Sequence, residues 1–397
     1  MNAAIISRQE CIPGSIGSVL ICIHRAPCSR ATCPFQMITR HLHERRLQIE
    51  GRIGCAYESE GAAYTGMRDD IGRKVAIKIL ALHRMTDDEI ADLQHEALIL
   101  RSLSHENVIG PAEHFVKSSI LYCITNLMDL GSVRRILDLP DYANGIPENT
   151  IAAIMKQLGE ALVYVHAAGI VHRGIRCSHI LCSSNGQIKL GGFRYAVHLK
   201  EGNSWMEEEK LNKTYMYTPK LMSQHYWCAP EILSQDLNGY DYKSDIYSVG
   251  IAICEMANGF VPFEDMENRL QILYEKYRGI TPLVLDCSSV DPTLSPNDTV
   301  FCKRKFSKNL HLLVKQCMEQ DPKERPTPSQ LVNHMFVKEF LGKKLKKKVN
   351  FQNNLPLAKP LMPALQASDV QVFNEEIERG LLHVDTDLAP DESPWLL

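Results

Sequence analysis

No apolar run in the 397-residue chain approaches the roughly 20 residues needed to cross a bilayer. No two cysteines are spaced C-x-x-C, and the thirteen that are present are scattered and odd in number. That pattern argues against a disulfide framework or a zinc site and for reduced thiols in the cytoplasm or nucleus. Neither sign of charge dominates, the formal net charge being -3, so no general drive toward nucleic acid or an anionic membrane is expected. Internal repeats are missing too. What remains is the composition of an ordinary globular protein, long enough to build two sizeable cores.

The pattern of residues divides the chain into four parts. Residues 1–44 show no sustained period; they hold Cys11, Cys22, Cys28 and Cys33, several arginines and few acids. They read as a flexible extension, with an organelle transit peptide as the alternative. Strand-like runs dominate residues 45–126. Helical spacing dominates 127–341, where Ile151, Ile154, Leu158, Leu162 and Val165 share one face and Gly169 ends the helix. Residues 342–397 turn from basic to proline-containing to acidic, and read as a flexible tail ending in Trp395-Leu396-Leu397. The basic run from Lys343 to Lys348 is either a solvated helix end or a nuclear-import signal.

Chemistry-bearing motifs cluster in the two middle parts. Ile180-Leu181-Cys182 and Ile188-Lys189-Leu190 flank Ser184-Asn185-Gly186 and predict a tight hairpin. His172-Arg173-Gly174 stands before it and Gly192-Phe193-Arg194 after it. Upstream, Val75-Ala76-Ile77-Lys78 reads as a strand ending in a cation, and Thr86 with Glu89 as a capping box opening a helix that contains Glu96. Downstream lie Cys228-Ala229-Pro230-Glu231, Ser244-Asp245-Ile246-Tyr247-Ser248-Val249-Gly250 and Asp321-Pro322-Lys323-Glu324-Arg325-Pro326. Their order resembles that of the protein kinases. The resemblance implies an α+β, bilobal fold: a small lobe of mainly antiparallel strands plus one helix, and a mainly helical large lobe. Ile49 to Ala56 is placed where kinases carry a glycine-rich phosphate loop, with Gly51 and Gly54 as its surviving glycines. An ordinary hairpin turn explains those two glycines equally well.

The same resemblance implies a nucleotide site whose reactive groups are gone. Lys78 takes the place of the lysine that holds phosphates and pairs with Glu96. Ala76, Thr125, Asn126 and Met128 take the places of the adenine pocket and hinge. Gly174 stands where kinases have the catalytic base, and His179 and Gly192 stand where they have the two metal-binding residues. Magnesium prefers hard oxygen ligands, and neutral imidazole is a poor replacement. His172 as a substitute base and His179 as a ligand for a softer metal are the less favoured readings; both read better as structural histidines. The expectation is therefore no catalytic residue, no metal site, and ATP bound without magnesium. Arg176, with Lys78 and Arg194, would then supply the missing positive charge, unless the arginines pair with carboxylates or face solvent.

Four stretches narrow the resemblance. His172 to Leu181, Asn238 to Ile251, Glu255 to Phe263 and Phe306 to Pro326 are similar to the STE20-related adaptor (STRAD) pseudokinases. That likeness implies a catalytically dead, ATP-binding adaptor in a closed shape. Such adaptors activate a Ser/Thr kinase of the liver kinase B type in a trimer with a Mo25-type helical-repeat scaffold. Tyr215 and Tyr217, in a long segment before Glu231, are the candidates for client contact. Trp395, Leu396 and Leu397 resemble a variant of the family's scaffold-docking C-terminus, a Trp-Glu-Phe. A weak kinase with unorthodox catalysis and a nucleotide-independent scaffold are the competing functions. The expected location is cytoplasmic, and nuclear as well if the basic run is an import signal.

Overall fold

The structure, a computed structural model, describes residues 40–56, 61–110, 113–199, 214, 221–266, 268–289, 299–342 and 355. The small lobe is one antiparallel sheet of β1 (Leu47–Ala56), β2 (Gly61–Arg68), β3 (Arg73–Ala81), β4 (Glu113–Lys117) and β5 (Ile120–Asn126), in the order β1-β2-β3-β5-β4. Strict alternation on β3 turns Val75, Ile77 and Ile79 inward, and Leu47, Tyr64, Phe115 and Tyr122 complete that core. Ala76 and Lys78 share the opposite face of β3, which the pleat turns toward the other lobe.

Helix α1 (Asp87–Ser102) crosses the sheet. Its start is the predicted capping box: Glu89 N–H donates to Thr86 Oγ1 at 3.3 Å, and Thr86 N–H donates to Glu89 Oε2 at 2.8 Å. The folded part begins before residue 45. Residues 40–44 form a helical turn whose Leu42 is fully buried, while His41 Nδ1 lies 3.0 Å from the Tyr122 hydroxyl. Those contacts correct the boundary of the expected extension; residues 1–39 lie outside the described residues.

The large lobe is built on α3 (Glu148–Ala167), buried along one face, and α5 (Lys243–Asn258), almost entirely buried. Around them lie α2 (Val133–Leu137), α4 (Pro230–Leu233), α6 (Arg269–Tyr277), α7 (Thr299–Cys302), α8 (Lys308–Cys317), α9 (Pro328–Val332) and α10 (Met335–Leu341). Gly169 closes α3 with φ +80°, donating its N–H to the His166 carbonyl at 3.0 Å, as its position predicted. Leu355, assigned from the sequence to a flexible tail, is fully buried in the large-lobe core, so that part of the tail is packed. Among the described residues no helix is long and apolar enough to cross a membrane.

Short strands carry the motifs. β6 (Gly131–Ser132), β8 (Ile180–Cys182) and β9 (Ile188–Leu190) form one small sheet, and β7 (Ile170–Val171) pairs with β10 (Val197–His198). The predicted hairpin is β8–β9, with Ile180 opposite Leu190. Its loop is wider than a two-residue turn: Ser183 N–H donates to the Gln187 carbonyl, and only Gly186, at φ +86°, enters the left-handed region.

Candidate nucleotide site and degenerate catalytic loop

One buried carboxylate fixes the loop that follows β7. Asp245, in the first turn of α5, accepts from the backbone N–H of His172 at 2.9 Å and of Arg173 at 2.8 Å, and from His166 Nε2 at 2.9 Å. Burial alone would raise its carboxyl, but the bonds from His166 and His172 outweigh burial and hold it below the ordinary value. A second buried carboxylate, Glu231 of α4, takes both Arg325 nitrogens at 2.6 and 2.9 Å in a fork. Asp245, Glu231 and Arg325 all lie in the motifs singled out in the sequence.

His172 is fully buried, and its two ring nitrogens have opposite roles. Gly174 N–H donates to Nδ1 at 3.1 Å, so Nε2 carries the proton and donates to the Gly191 carbonyl at 3.0 Å. Burial pulls its pKa down to about 4. The imidazole is neutral, and both nitrogens are spent on backbone. That is the structural role, and it leaves no free nitrogen for a substitute base.

The two replaced positions meet at His179. Its Nδ1 can only donate to the Gly174 carbonyl, 2.6 Å away, so Nε2 accepts from Arg176, whose Nη2 and Nε lie at 3.1 and 3.3 Å. Burial and then the Arg176 charge press its pKa well below the ordinary imidazole value. The Arg176 guanidinium also lies 5.3 Å over the Trp227 ring, whose Nε1 donates to Glu255 at 3.1 Å. Trp227 thus packs inward at the cleft, and Arg176 is shared between an aromatic face and an imidazole. Nothing in the sequence marked this contact, because Trp227 lies some fifty residues beyond Arg176.

The other pocket residues named from the sequence lie on β3, on β5 and just beyond β5. Ala76 pairs with Thr125 and Val75 with Asn126 at the end of β5, and Met128 is buried just beyond it. Lys78 sits opposite Cys123 in the register. Burial pushes that thiol up to about 12, with Lys78 pulling it down and Glu96 pushing it further up, so both charges lie near it. Glu96 is buried and accepts the Phe193 N–H at 3.1 Å, and His95 Nε2 lies 2.9 Å from the Ala196 carbonyl. Helix α1 is therefore fastened to the segment that follows Gly192. Arg194 is also buried, with Nε 3.9 Å from Asp92 of α1, so it pairs with a carboxylate.

The structure places Gly51 and Gly54 within β1. Gly51 lies inside β1 opposite Thr65, and Gly54 lies opposite Ala63, with register shifts at Ile49/Gly51 and Arg52/Gly54. The connection from β1 to β2 runs through 57–60, which lies outside the described residues. These glycines border bulges in a strand, where an extra residue must be accommodated. Tyr215, Tyr217, Trp395, Leu396 and Leu397 also lie outside the described residues.

A divalent metal does not fit what is present. Among the described residues no group of His, Cys, Asp and Glu could hold one. The two metal-side positions offer a glycine and an imidazole whose nitrogens are already used.

Fold and site together define a protein-kinase-like domain with an altered catalytic centre. A family model described as Protein kinase domain matches residues 56–337, and the chain belongs to that family. Within it, the chain is 33% identical over 296 residues to STE20-related kinase adapter protein alpha of Rattus norvegicus, covering 68% of this chain and 74% of the relative. It is 35% identical over 293 residues to STE20-related kinase adapter protein strd-1 of Caenorhabditis elegans, covering 72% of each. Against STE20-related kinase adapter protein beta of Mus musculus the identity is 31% over 324 residues, covering 74% of this chain and 75% of the relative. The chain is a member of the STE20-related kinase adapter proteins.

Proposed function

We propose that the chain is a catalytically inactive adaptor that binds ATP without magnesium and activates a partner Ser/Thr kinase allosterically. The observation that carries this reading is the centre formed by Gly174, His179 and Gly192. No side chain there can take the proton of a substrate hydroxyl, and a general base typically contributes about 10²- to 10⁴-fold. The fastening of α1 by Glu96 supports a closed, kinase-like shape that a partner can recognise. In ATP binding, Lys78 and Arg176 take the phosphates, Thr125, Asn126 and Met128 border the base, and the protein's own cations stand in for the metal. By family likeness the client is a kinase of the liver kinase B type, contacted through the segment holding Tyr215 and Tyr217. A Mo25-type scaffold docks Trp395, Leu396 and Leu397. The family's site of action is cytoplasmic, with nuclear entry tied to the basic run.

Two measurements test this. Millimolar ATP raises the melting temperature equally with EDTA and with magnesium, since a ligand of the native state stabilises it by mass action; Lys78→Met shrinks the shift. The purified chain adds no label from radioactive ATP to a substrate panel, yet raises the activity of the purified client. Label transfer abolished by Lys78→Met refutes the inactive-enzyme reading. One observation favours a nucleotide-independent scaffold, namely that Arg176 already contacts Trp227 and His179. The absence of any thermal shift with ATP selects that alternative.

A further inference from the structure

We infer that His179 is a built-in occupant of the metal position, and that its ring and any side chain at residue 192 exclude each other. This deepens the metal-free reading above and rests on it only for its nucleotide arm. Chemistry alone predicts that the replaced residues bind magnesium weakly. The geometry adds that they are interlocked, so neither is independently reversible.

A Cβ built on Gly192 falls 2.3 Å from His179 Nδ1, 2.4 Å from Cγ and 2.7 Å from Cδ2. The atoms in the way belong to a flat, rigid ring close to its own backbone, not to the far end of a flexible chain. The ring is held in that place from both sides. Nδ1–H donates to the Gly174 carbonyl at 2.6 Å, and Nε2 accepts from Arg176, which is itself over Trp227. Moving the imidazole breaks its bond to Gly174 and unseats Arg176. The third replaced position behaves differently. A Cβ on Gly174 meets the Gly192 carbonyl at 3.2 Å and His179 Nδ1 at 3.5 Å, contacts that a small shift relieves. Glycine is therefore sterically required at 192 because residue 179 is histidine, whereas at 174 a small side chain has room. His179 decides that the cleft takes its ligand without a divalent cation, since a carboxylate at 192 has nowhere to go while the imidazole is there.

A mutant cycle on the full chain reads the lock without any ligand. Gly192 has φ +78°, so alanine there carries backbone strain in every background, and the cycle subtracts it. Melting temperature is measured for the unaltered chain, Gly192→Ala, His179→Ala and the double variant, with Gly174→Ala as the small-shift control. The expected result is a large fall for Gly192→Ala, a much smaller one when His179→Ala is also present, and little change for Gly174→Ala. Recovery of Gly192→Ala only as unfolded protein, with the double variant folded, supports the lock equally. Equal falls in both backgrounds, or failure of both to fold, overturn the inference. The nucleotide arm titrates ATP by calorimetry with magnesium or EDTA. Magnesium strengthens binding by roughly tenfold or more in His179→Asn/Gly192→Asp and in neither single variant, a coupling of ordinary size. Magnesium-dependent binding by Gly192→Asp alone overturns the lock. If none of these proteins binds ATP, the nucleotide reading falls while the melting cycle still decides the steric one.

Discussion

The imidazoles of His41, His172 and His179 are kept neutral by their surroundings, and each is used for its shape and hydrogen bonds. Burial draws both His41 and His172 down to about 4, and His179 well below its ordinary value. The sign of the consequence is fixed. These groups bind protons in the unfolded chain near pH 6.5 and resist them in the folded one, so stability falls as pH drops from about 6.5 toward 4. For fully buried His172 alone, moving from pH 7 to pH 5 costs about 2 kcal/mol, since each pH unit between the two pKa values is worth roughly 1.4 kcal/mol. Urea unfolding at the two pH values measures it, and His172→Gln should show a visibly shallower fall. An identical pH dependence in that variant would mean His172 is not held neutral. The Arg325–Glu231 fork is a different case, a buried ion pair. Arg325→Met strands a buried carboxylate and should cost about 3–5 kcal/mol by chemical unfolding. A loss under about 1 kcal/mol, the range of an exposed pair, would show that Glu231 finds other partners. The sequence made this pair legible as two motifs. It left the roles of His172 and His179 open, because tautomer and burial are properties of the assembled loop.

At the scale of elements, α6 does something its sequence conceals. Lys276 lies in the last turn of the helix and is almost fully buried. Its Nζ donates to the carbonyls of His225, Tyr226 and Cys228 at 2.9, 2.7 and 2.8 Å, and the Tyr247 and Phe263 rings flank it at 5.3 and 5.4 Å. An ammonium has three protons and no acceptor, so three carbonyls satisfy it completely. The helix thereby fixes the turn that presents Trp227 to Arg176. Lys276→Met leaves three buried acceptors without that donor, and each such orphan costs about 1–3 kcal/mol. The variant should lose at least about 2 kcal/mol of stability on that reckoning, and its tryptophan emission should shift as Trp227 loosens. Unchanged stability with unchanged emission would show that the turn holds itself. The glycine positions teach the complementary lesson. Gly51 and Gly54 matched a motif by spacing, but pairing with β2 decides where a turn falls, and register is not written in the glycines themselves. The capping box of α1 and the β8–β9 hairpin were legible because their partners lie within a few residues.

At the scale of the molecule, the two lobes were readable from motif order, while the bonds between them were not. Helix α1 belongs to the small lobe, yet Glu96 and His95 fasten it to Phe193 and Ala196, about a hundred residues later. The motifs predict a pairing of Glu96 with Lys78; the bond that Glu96 accepts from the Phe193 N–H is a tie the motifs do not predict. A hydrogen bond to a charged group contributes about 1.5–3 kcal/mol, and both bonds bridge the same two elements, so their removal should be non-additive. Glu96→Ala with His95→Ala should speed amide exchange in Asp87–Ser102 and in residues 193–196, while α3 and α5 keep their protection. That outcome marks a local release of α1. If the closed shape is what the client recognises, the same protein should activate the client less at equal concentration and retain its large-lobe fold by near-ultraviolet dichroism. Exchange in α1 equal to that of the unaltered chain would show that these two bonds do not hold the helix in place. Faster exchange with full client activation would separate closure from the adaptor's action.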